Sequence, residues 1–342
     1  MPFKFAVFIV FACSILAGCS NTDKASVQTF YGATMGTSYS VKFVGVKSQI
    51  KGLQNGVDDR LVDINDAMST YIDDSELNRF NEDFQSDWFD ASPPLKEVVS
   101  MALEVSEQSQ GAFDITVGPL VDLWGFGPMD RPEEVPNNDI LSAVFRDVGY
   151  QAVVVGDQGL KKSEPRRLDL SAIAKGYGVD VIAEYLQSQG VDNFLVEIGG
   201  EMRLGGVKPG DKIWQIAVET PATSQRDAFK IMPLTNAGVA TSGDYRNYFE
   251  VEGVRYSHTI DPATGYPITH NLASATVVHE SCAMADAWAT AMMVMGVEKS
   301  LAVAEAQDLA VYLIEKTDAG FVEHKSSAFL QRVEEANGQF TR

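Results

Sequence analysis

Tyr256-Ser257-His258-Thr259-Ile260-Asp261-Pro262-Ala263-Thr264-Gly265 opens the stretch from which the rest of the chain is read. A short strand runs into a turn punctuated by Pro262 and Gly265, and the proline pushes Asp261 out of helical geometry. Alternation of Ala273, Ala275 and Val277 with Ser274, Thr276 and Val278 then predicts a strand through a core. Ser281 caps a helix that begins Cys282-Ala283-Met284-Ala285-Asp286-Ala287-Trp288-Ala289-Thr290 and ends near Gly296. Asp286 and Thr290 are four positions apart, so a carboxylate and a hydroxyl share one helix face, a turn apart. Asp286 is also the only charge between Glu280 and Glu298, and burying an unpaired charge is costly. Two partners would satisfy it. One is an Arg or Lys from elsewhere in the chain. The other is a hard cation such as Mg²⁺, which takes one or two carboxylates and completes its shell with phosphate oxygens.

Outward from this stretch, the composition sets limits. The chain has 342 residues, 45% hydrophobic and 22% charged, enough for one large domain or two modest ones with a substantial core. Its net charge of −20 argues against nucleic acid or an anionic membrane surface as partner. A phosphate-bearing ligand would need a local exception: a metal, a helix N-terminus or a few placed cations.

Residues 1–18 stand apart from the fold. Lys4 supplies a positive start, and Phe5 to Leu16 form an apolar segment too short to span as an ordinary transmembrane helix. Leu16-Ala17-Gly18-Cys19 resembles a bacterial lipoprotein signal in which Cys19 becomes the lipidated first residue. Residues 19–28 read as a polar tether and 29–335 as one domain, with no linker, repeat or low-complexity segment to divide it. Of the three cysteines, Cys13 leaves with the signal and Cys19 carries lipid. Cys282 is left alone, without a disulfide framework or a Cys-based zinc site.

Within the domain, Met35-Gly36 separates two strand-like pieces and suggests a bulge or a close backbone approach. Ile50, Leu53, Val57, Leu61, Ile64 and Met68 step at helical spacing, and Pro93-Pro94 starts a second helix stopped by Gly111. Residues 69–78 read as a polar loop, 111–126 as an aperiodic aromatic and glycine-rich loop, and 131–167 as a connector, a short helix and a hairpin. In Asp169-Leu170-Ser171-Ala172-Ile173-Ala174-Lys175-Gly176, Ser171 reads as an N-cap. The first-turn amides with Lys175 then make an anion seat, or Asp169 and Ser171 merely cap. Phe194 to Ile198 is a strand ending in Gly199-Gly200. Residues 241–246 read as a polar loop ahead of a hairpin from Tyr248 to Tyr256. Walker A, Gly-x-Gly-x-x-Gly, Gly-x-Ser-x-Gly and His-Glu-x-x-His motifs are absent, and none of the four histidines stands in ligand spacing.

Several pieces occur in an order that resembles the ApbE family of FAD:protein FMN transferases. They are Thr34-Met35-Gly36-Thr37, Ser69-Thr70-Tyr71, Phe113-Asp114-Ile115-Thr116-Val117-Gly118-Pro119-Leu120, Asp169 to Gly176, Thr241-Ser242-Gly243-Asp244-Tyr245, Ser257-His258-Thr259-Ile260-Asp261-Pro262 and Ala285-Asp286-Ala287-Trp288-Ala289-Thr290. The resemblance implies an α+β fold related to the tunnelling T-fold, with mixed and antiparallel sheets packed with helices. It implies FAD as substrate, Mg²⁺ as cofactor, and transfer of the FMN half to a threonine hydroxyl of a partner protein with release of AMP. By the same resemblance, the metal ligands are Asp286, Thr290 and the carbonyl of Ala172. FAD contacts fall on Met35, Tyr71, Ala112, Phe113, Asp114, Asp169, Lys175 and Ile260, with Gly199-Gly200 and the metal helix closing over the flavin. Some relatives carry Asp where this chain has Ala289 and Thr where it has Ala172, so a ligand set built on those side chains does not carry over.

His258, in the turn that by resemblance borders the flavin, is the expected catalytic base, with Asp286 and Asp244 as alternatives. Implied acceptors are membrane electron-transfer subunits such as those of sodium-pumping NADH:quinone reductase. The protein would then be exported and lipid-anchored on the periplasmic side, at the inner rather than the outer membrane, touching the bilayer only through its anchor. The alternatives are a Mg²⁺-dependent FAD pyrophosphatase, a flavin-binding lipoprotein without catalysis and a purely structural lipoprotein.

Overall fold

The run predicted as a core strand lies near the middle of an eight-stranded sheet and is buried on both faces. The computed structural model describes residues 24–84, 87–127, 134–219, 221, 228–244 and 247–338. The predicted signal, Cys19, and Tyr245 with Arg246 lie outside the described residues. In chain order the strands are β1 (Ser26–Thr34), β2 (Thr37–Gly45), β3 (Val153–Gly156), β4 (Gly159–Lys162), β5 (Phe194–Ile198), β6 (Glu201–Gly205), β7 (Trp214–Glu219), β8 (Ala228–Leu234), β9 (Ala237–Gly243), β10 (Tyr248–Val251), β11 (Val254–Ser257), β12 (Leu272–His279), β13 (Ala310–Thr317) and β14 (Gly320–Lys325). The helices are α1 (Ile50–Met68), α2 (Glu76–Glu82), α3 (Pro93–Gln108), α4 (Gly118–Leu123), α5 (Asn138–Phe145), α6 (Ala174–Ser188), α7 (Cys282–Ala306) and α8 (Ser327–Gly338).

The main sheet has the order β1-β2-β5-β6-β9-β12-β13-β14, and β3-β4, β7-β8 and β10-β11 form separate ribbons. Sheets expected to be mixed and antiparallel are antiparallel in every ladder among the described strands. With helices on the sheet this is an α+β fold. Its first strand starts at Ser26, so the end of the stretch read as tether already pairs with Gly45.

Helices α1, α3, α6 and α7 cover one face of the sheet. On the other, Trp214, Ile216, Met232 and Leu234 of the β7-β8 ribbon and Phe329 of α8 pack against Leu204, Val239 and Ile314. That double cover explains why β12, Ser274 and Thr276 included, is buried along almost its whole length. A satellite cluster of Leu120, Trp124, Leu141, Phe249 and Ile260 joins α4, α5 and the β10-β11 ribbon. The Trp124 indole donates to the Gly265 carbonyl at 2.9 Å, tying this cluster to the turn after β11.

Some local readings change. Met35 (φ 48°) and Gly36 (φ 70°) form a tight two-residue hairpin between β1 and β2 rather than a bulge. Residues 241–243, read as loop, are the end of β9 and pair with β12. The polar stretch 69–78 leads into α2, and the aperiodic 111–126 contains α4. The helix expected to end near Gly296 kinks there, with φ 74° and ψ 177°, and a second segment continues to Ala306.

Two devices lock α6 to α7. A Cβ on Gly176 would stand 2.4 Å from the Cys282 carbonyl oxygen, so only glycine permits this approach. Next to it, the Asp180 carboxylate accepts from the amides of Cys282 (2.9 Å) and Ala283 (3.0 Å), from Ser281 Oγ (2.7 Å) and from Arg203 Nη1 (2.9 Å). It thereby satisfies the open amides of α7 from a neighbouring helix. Asp180→Ala leaves those donors and Arg203 without it and is expected to lower stability by about 3 kcal/mol. Urea unfolding checks this, and an unchanged midpoint would contradict it.

Candidate active site

A cleft of about 450 Å³ opens where the N-terminus of α6, the ends of β6 and β9, the middle of α7 and the satellite cluster converge. The chain builds its floor in an unexpected way. Ser171 does not cap α6: the helix starts at Ala174, Ile173 holds the cap position without a side-chain bond, and the Ser171 amide donates to Asp169 Oδ1 at 2.8 Å. The Gly176 amide, which would close the first turn on the Ala172 carbonyl, donates instead to Asp286 Oδ2 at 3.1 Å. No hydrogen bond to the Ala172 carbonyl is found among the described residues. The anion seat predicted at this helix start thus holds a carboxylate of the protein itself, and the carbonyl of the cleft-lining Ala172 has no hydrogen-bond donor among the described residues.

Asp286 is 3% exposed and stands 3.6 Å from Lys175 Nζ, so the lysine partner considered from sequence is present. Lys175 Nζ also lies 3.5 Å from Glu201 Oε1 and 3.4 Å from the Ser171 carbonyl. Burial alone would lower the Lys175 pKa, but the Asp286 and Glu201 carboxylates outweigh it and raise it, so the side chain stays charged. Glu201 moves up, because burial and the neighbouring Asp286 charge outweigh the pull of Lys175. One turn along α7 from Asp286, the Thr290 hydroxyl meets Ser242 Oγ at 3.2 Å.

The other predicted residues divide. Ala112, Phe113, Asp114, Asp169 and Ile260 line the cleft, and Tyr71 stands at its rim, 72% exposed. Asp114 is committed to its own loop: Thr116 N and Oγ1 and the Tyr150 amide donate to it at 2.8, 2.6 and 3.0 Å. Burial raises its pKa against those bonds. Met35 is not part of the cleft wall. Its Cε lies 3.1 Å from where a Cβ of Gly178 would be, packed between the two helix-side core clusters. Gly199-Gly200 do not line the cleft either: both are exposed, with Gly199 next to Lys175 and Glu201. Sequence reasoning missed Glu201, Asn247, Met293 and Val294 as wall residues. For Glu201 a signal existed: an acid directly after a glycine pair at a strand start.

His258 lies in the cleft beside the Phe126 ring, 6.3 Å between centroids. Its Nδ1 is 3.0 Å from the Asn247 carbonyl, which also accepts the His258 amide at 3.1 Å. A carbonyl can only accept, so Nδ1 carries the proton and Nε2 of the neutral ring is left as a base. Burial depresses the His258 pKa, against the Asn247 bond and the Asp244 charge, and favours that neutral form. Alternative base Asp244 is tied to Arg255 at 3.9 Å, and Asp286 to Lys175 and Gly176.

The donor set suits a hard cation. Among the described residues no group of three or more His, Cys, Asp or Glu is placed to hold a metal, so a closed protein cage is not available. One carboxylate, one hydroxyl and one liberated carbonyl are what Mg²⁺ uses when a phosphate ligand completes its shell. Lys175 is the one Lys or Arg among the described lining residues, beside Asp114, Asp169, Glu201 and Asp286. An anionic ligand here therefore needs further positive charge.

In class this is an antiparallel α+β protein with a cleft that combines carboxylates and hydroxyls with apolar walls. The family model described as the ApbE family matches residues 35–313, and the chain belongs to that family. It is 48% identical over 320 residues to the FAD:protein FMN transferase of Vibrio cholerae serotype O1, an alignment covering 92% of this chain and 95% of that protein. With the enzyme of the same name from Haemophilus influenzae it shares 43% over 329 residues, covering 93% and 94%. The solved structure of the flavin transferase ApbE from Vibrio cholerae matches with a TM-score of 0.84 at 46% identity, covering 90% of this chain and 99% of that one.

Proposed function

We propose that the protein is an FAD:protein FMN transferase, that it requires Mg²⁺, and that it places FMN on a threonine hydroxyl of a partner protein. The observation that carries this reading is the Gly176 amide diverted to Asp286, which leaves the Ala172 carbonyl without that donor in an ApbE-family cleft lined also by Asp286 and Thr290. Asp286, Thr290 and the Ala172 carbonyl would hold Mg²⁺, which when bound neutralises charge on the FAD pyrophosphate. Lys175 adds the chain's own positive charge, and the apolar walls of Phe113, Val117, Phe126 and Ile260 suit a flat ring system. His258 Nε2 takes the proton of the acceptor hydroxyl. The hydroxyl oxygen forms a bond to the FMN-side phosphorus, the anhydride bond breaks, and AMP leaves. Such a reaction asks the protein mainly to position groups and balance charge.

Incubating the purified protein with FAD, Mg²⁺ and an acceptor domain tests this. Covalently yellow acceptor supports the reading, free FMN with AMP would replace it with FAD hydrolysis, and intact bound FAD would reduce it to flavin binding. The same proposal places the protein on the periplasmic side of the inner membrane, lipid-anchored through Cys19, where flavinylated electron-transfer subunits would be its acceptors. Among the described residues no helix is long and apolar enough to cross a membrane. Cys19→Ser is expected to move most of the protein from the membrane pellet to the soluble exported fraction with transfer activity intact. An unchanged pellet fraction on immunoblotting would dismiss the anchor.

A further inference from the structure

Glu201 opens β6, is 5% exposed and belongs to none of the motifs that carry the family resemblance. Its Oε1 faces Lys175, while its Oε2 has no hydrogen-bond partner among the described residues. Lys175 Nζ in turn is held at 3.4 Å by the Ser171 carbonyl, 3.5 Å by Glu201 and 3.6 Å by Asp286. None of these approaches the roughly 2.7–2.9 Å of a tight charge-assisted bond. The ammonium is therefore confined by charge and free to shift. Two buried carboxylates share one cation, and the position between them is the one a divalent ion on Asp286 would contest.

We propose that Lys175 is a tethered counter-ion guarding the cation seat, and that Glu201 is the carboxylate that retains it when a divalent ion takes over Asp286. This rests on the reading of Asp286 as a Mg²⁺ ligand. Without Glu201, an ammonium displaced from Asp286 would keep, of its present partners among the described residues, the Ser171 carbonyl alone, and metal entry would work against it. Gly199, at φ 63°, adjoins the pair: a Cβ there would sit 3.4 Å from Lys175 Cδ and 3.5 Å from Glu201 Oε2, and 3.0 Å from Thr37 Cγ2. Glu201 is thus a positioning residue that acts through Lys175.

The test is metal binding by the purified protein without FAD, with Mn²⁺ as probe, the free ion followed by electron paramagnetic resonance, and Mg²⁺ in competition. Lys175→Met is expected to bind Mn²⁺ at least about tenfold more tightly than wild type, since two facing carboxylates lose their resident cation. Lys175→Gln must tighten binding likewise, whereas Lys175→Arg, which keeps the charge, must not. Glu201→Gln is expected to weaken binding about tenfold in the wild type and by threefold or less, roughly, beside Lys175→Met. Unchanged or weaker binding in both neutral Lys175 variants would overturn the proposal. So would an equal loss from Glu201→Gln in the two backgrounds, which would make its effect independent of Lys175. Asp286→Asn tells the two readings apart. If it abolishes binding while the neutral lysine variants change nothing, the metal site stands and the counter-ion falls; if it binds like wild type, both fall.

Discussion

Asp286→Asn is expected to reduce FMN transfer by roughly 10²–10³ at limiting Mg²⁺, the scale seen when a group stabilising developing charge is removed. The substitution keeps the shape of the side chain, and its carbonyl can still accept from the Gly176 amide, the 3.1 Å bond that holds α6 against α7. What it removes is the charge that a cation needs, and with it one of the two carboxylates facing Lys175. Loss of activity with an unchanged unfolding transition therefore reports on the site and not on the fold. Ala172→Ser provides the contrast. In the proposed metal site Ala172 contributes its backbone carbonyl and not its side chain, so that variant should stay within a few-fold of wild type. Titrating Mg²⁺ against transfer rate checks both, and full activity of Asp286→Asn at limiting Mg²⁺ would remove Asp286 from the metal site.

His258→Ala is expected to lower transfer by roughly 10²–10⁴ while FAD affinity changes only a few-fold, as for loss of a general base. The hydrogen bond to the Asn247 carbonyl fixes which nitrogen is free, and burial holds the ring neutral below the ordinary imidazole value of 6.5. The sign of the pH dependence follows. The base works in its neutral form, so activity is retained as pH falls to 6.5 and is lost only in the more acidic range where the depressed group at last protonates. In His258→Ala the residual rate should lack that acidic limb. Measuring FAD binding separately from single-turnover transfer decides the matter. A variant that transfers at near wild-type rate, or fails only because FAD no longer binds, would take His258 out of the chemistry.

The long helices and the central strand were legible because their signals are local. Leu53, Val57, Leu61 and Ile64 repeat along α1 and are buried together, and Pro93-Pro94 with Ser92 start α3 where expected. α7 showed itself through the Ser281 cap and a long apolar run holding a single acid, and β12 through its alternation between β9 and β13. Less legible were elements whose polarity answers to the cleft rather than to solvent. Thr241, Ser242 and Gly243 look like a loop, yet they finish β9, with Thr241 bonded to Thr276 at 2.8 Å and Ser242 to Thr290 at 3.2 Å.

Legible along the chain was the set of chemical groups: an acid and a hydroxyl one turn apart on an apolar helix, a lysine near a helix start, and a histidine before a proline turn. What those groups do to one another came from packing. Asp286 takes the Gly176 amide from a helix 110 residues away in the chain, which fills the predicted anion seat and leaves the Ala172 carbonyl without that donor, while α6 starts at Ala174 with Ser171 outside the cap. Packing also brought Glu201 against Lys175 and set the partly buried Met35 of the β1-β2 turn against two core clusters. The reason is one of range. Periodicity, caps and turns are short-range preferences written into neighbouring residues. Which carboxylate faces which amide or ammonium depends on how α6, α7 and β6 pack, and packing is settled by burial over the whole sheet.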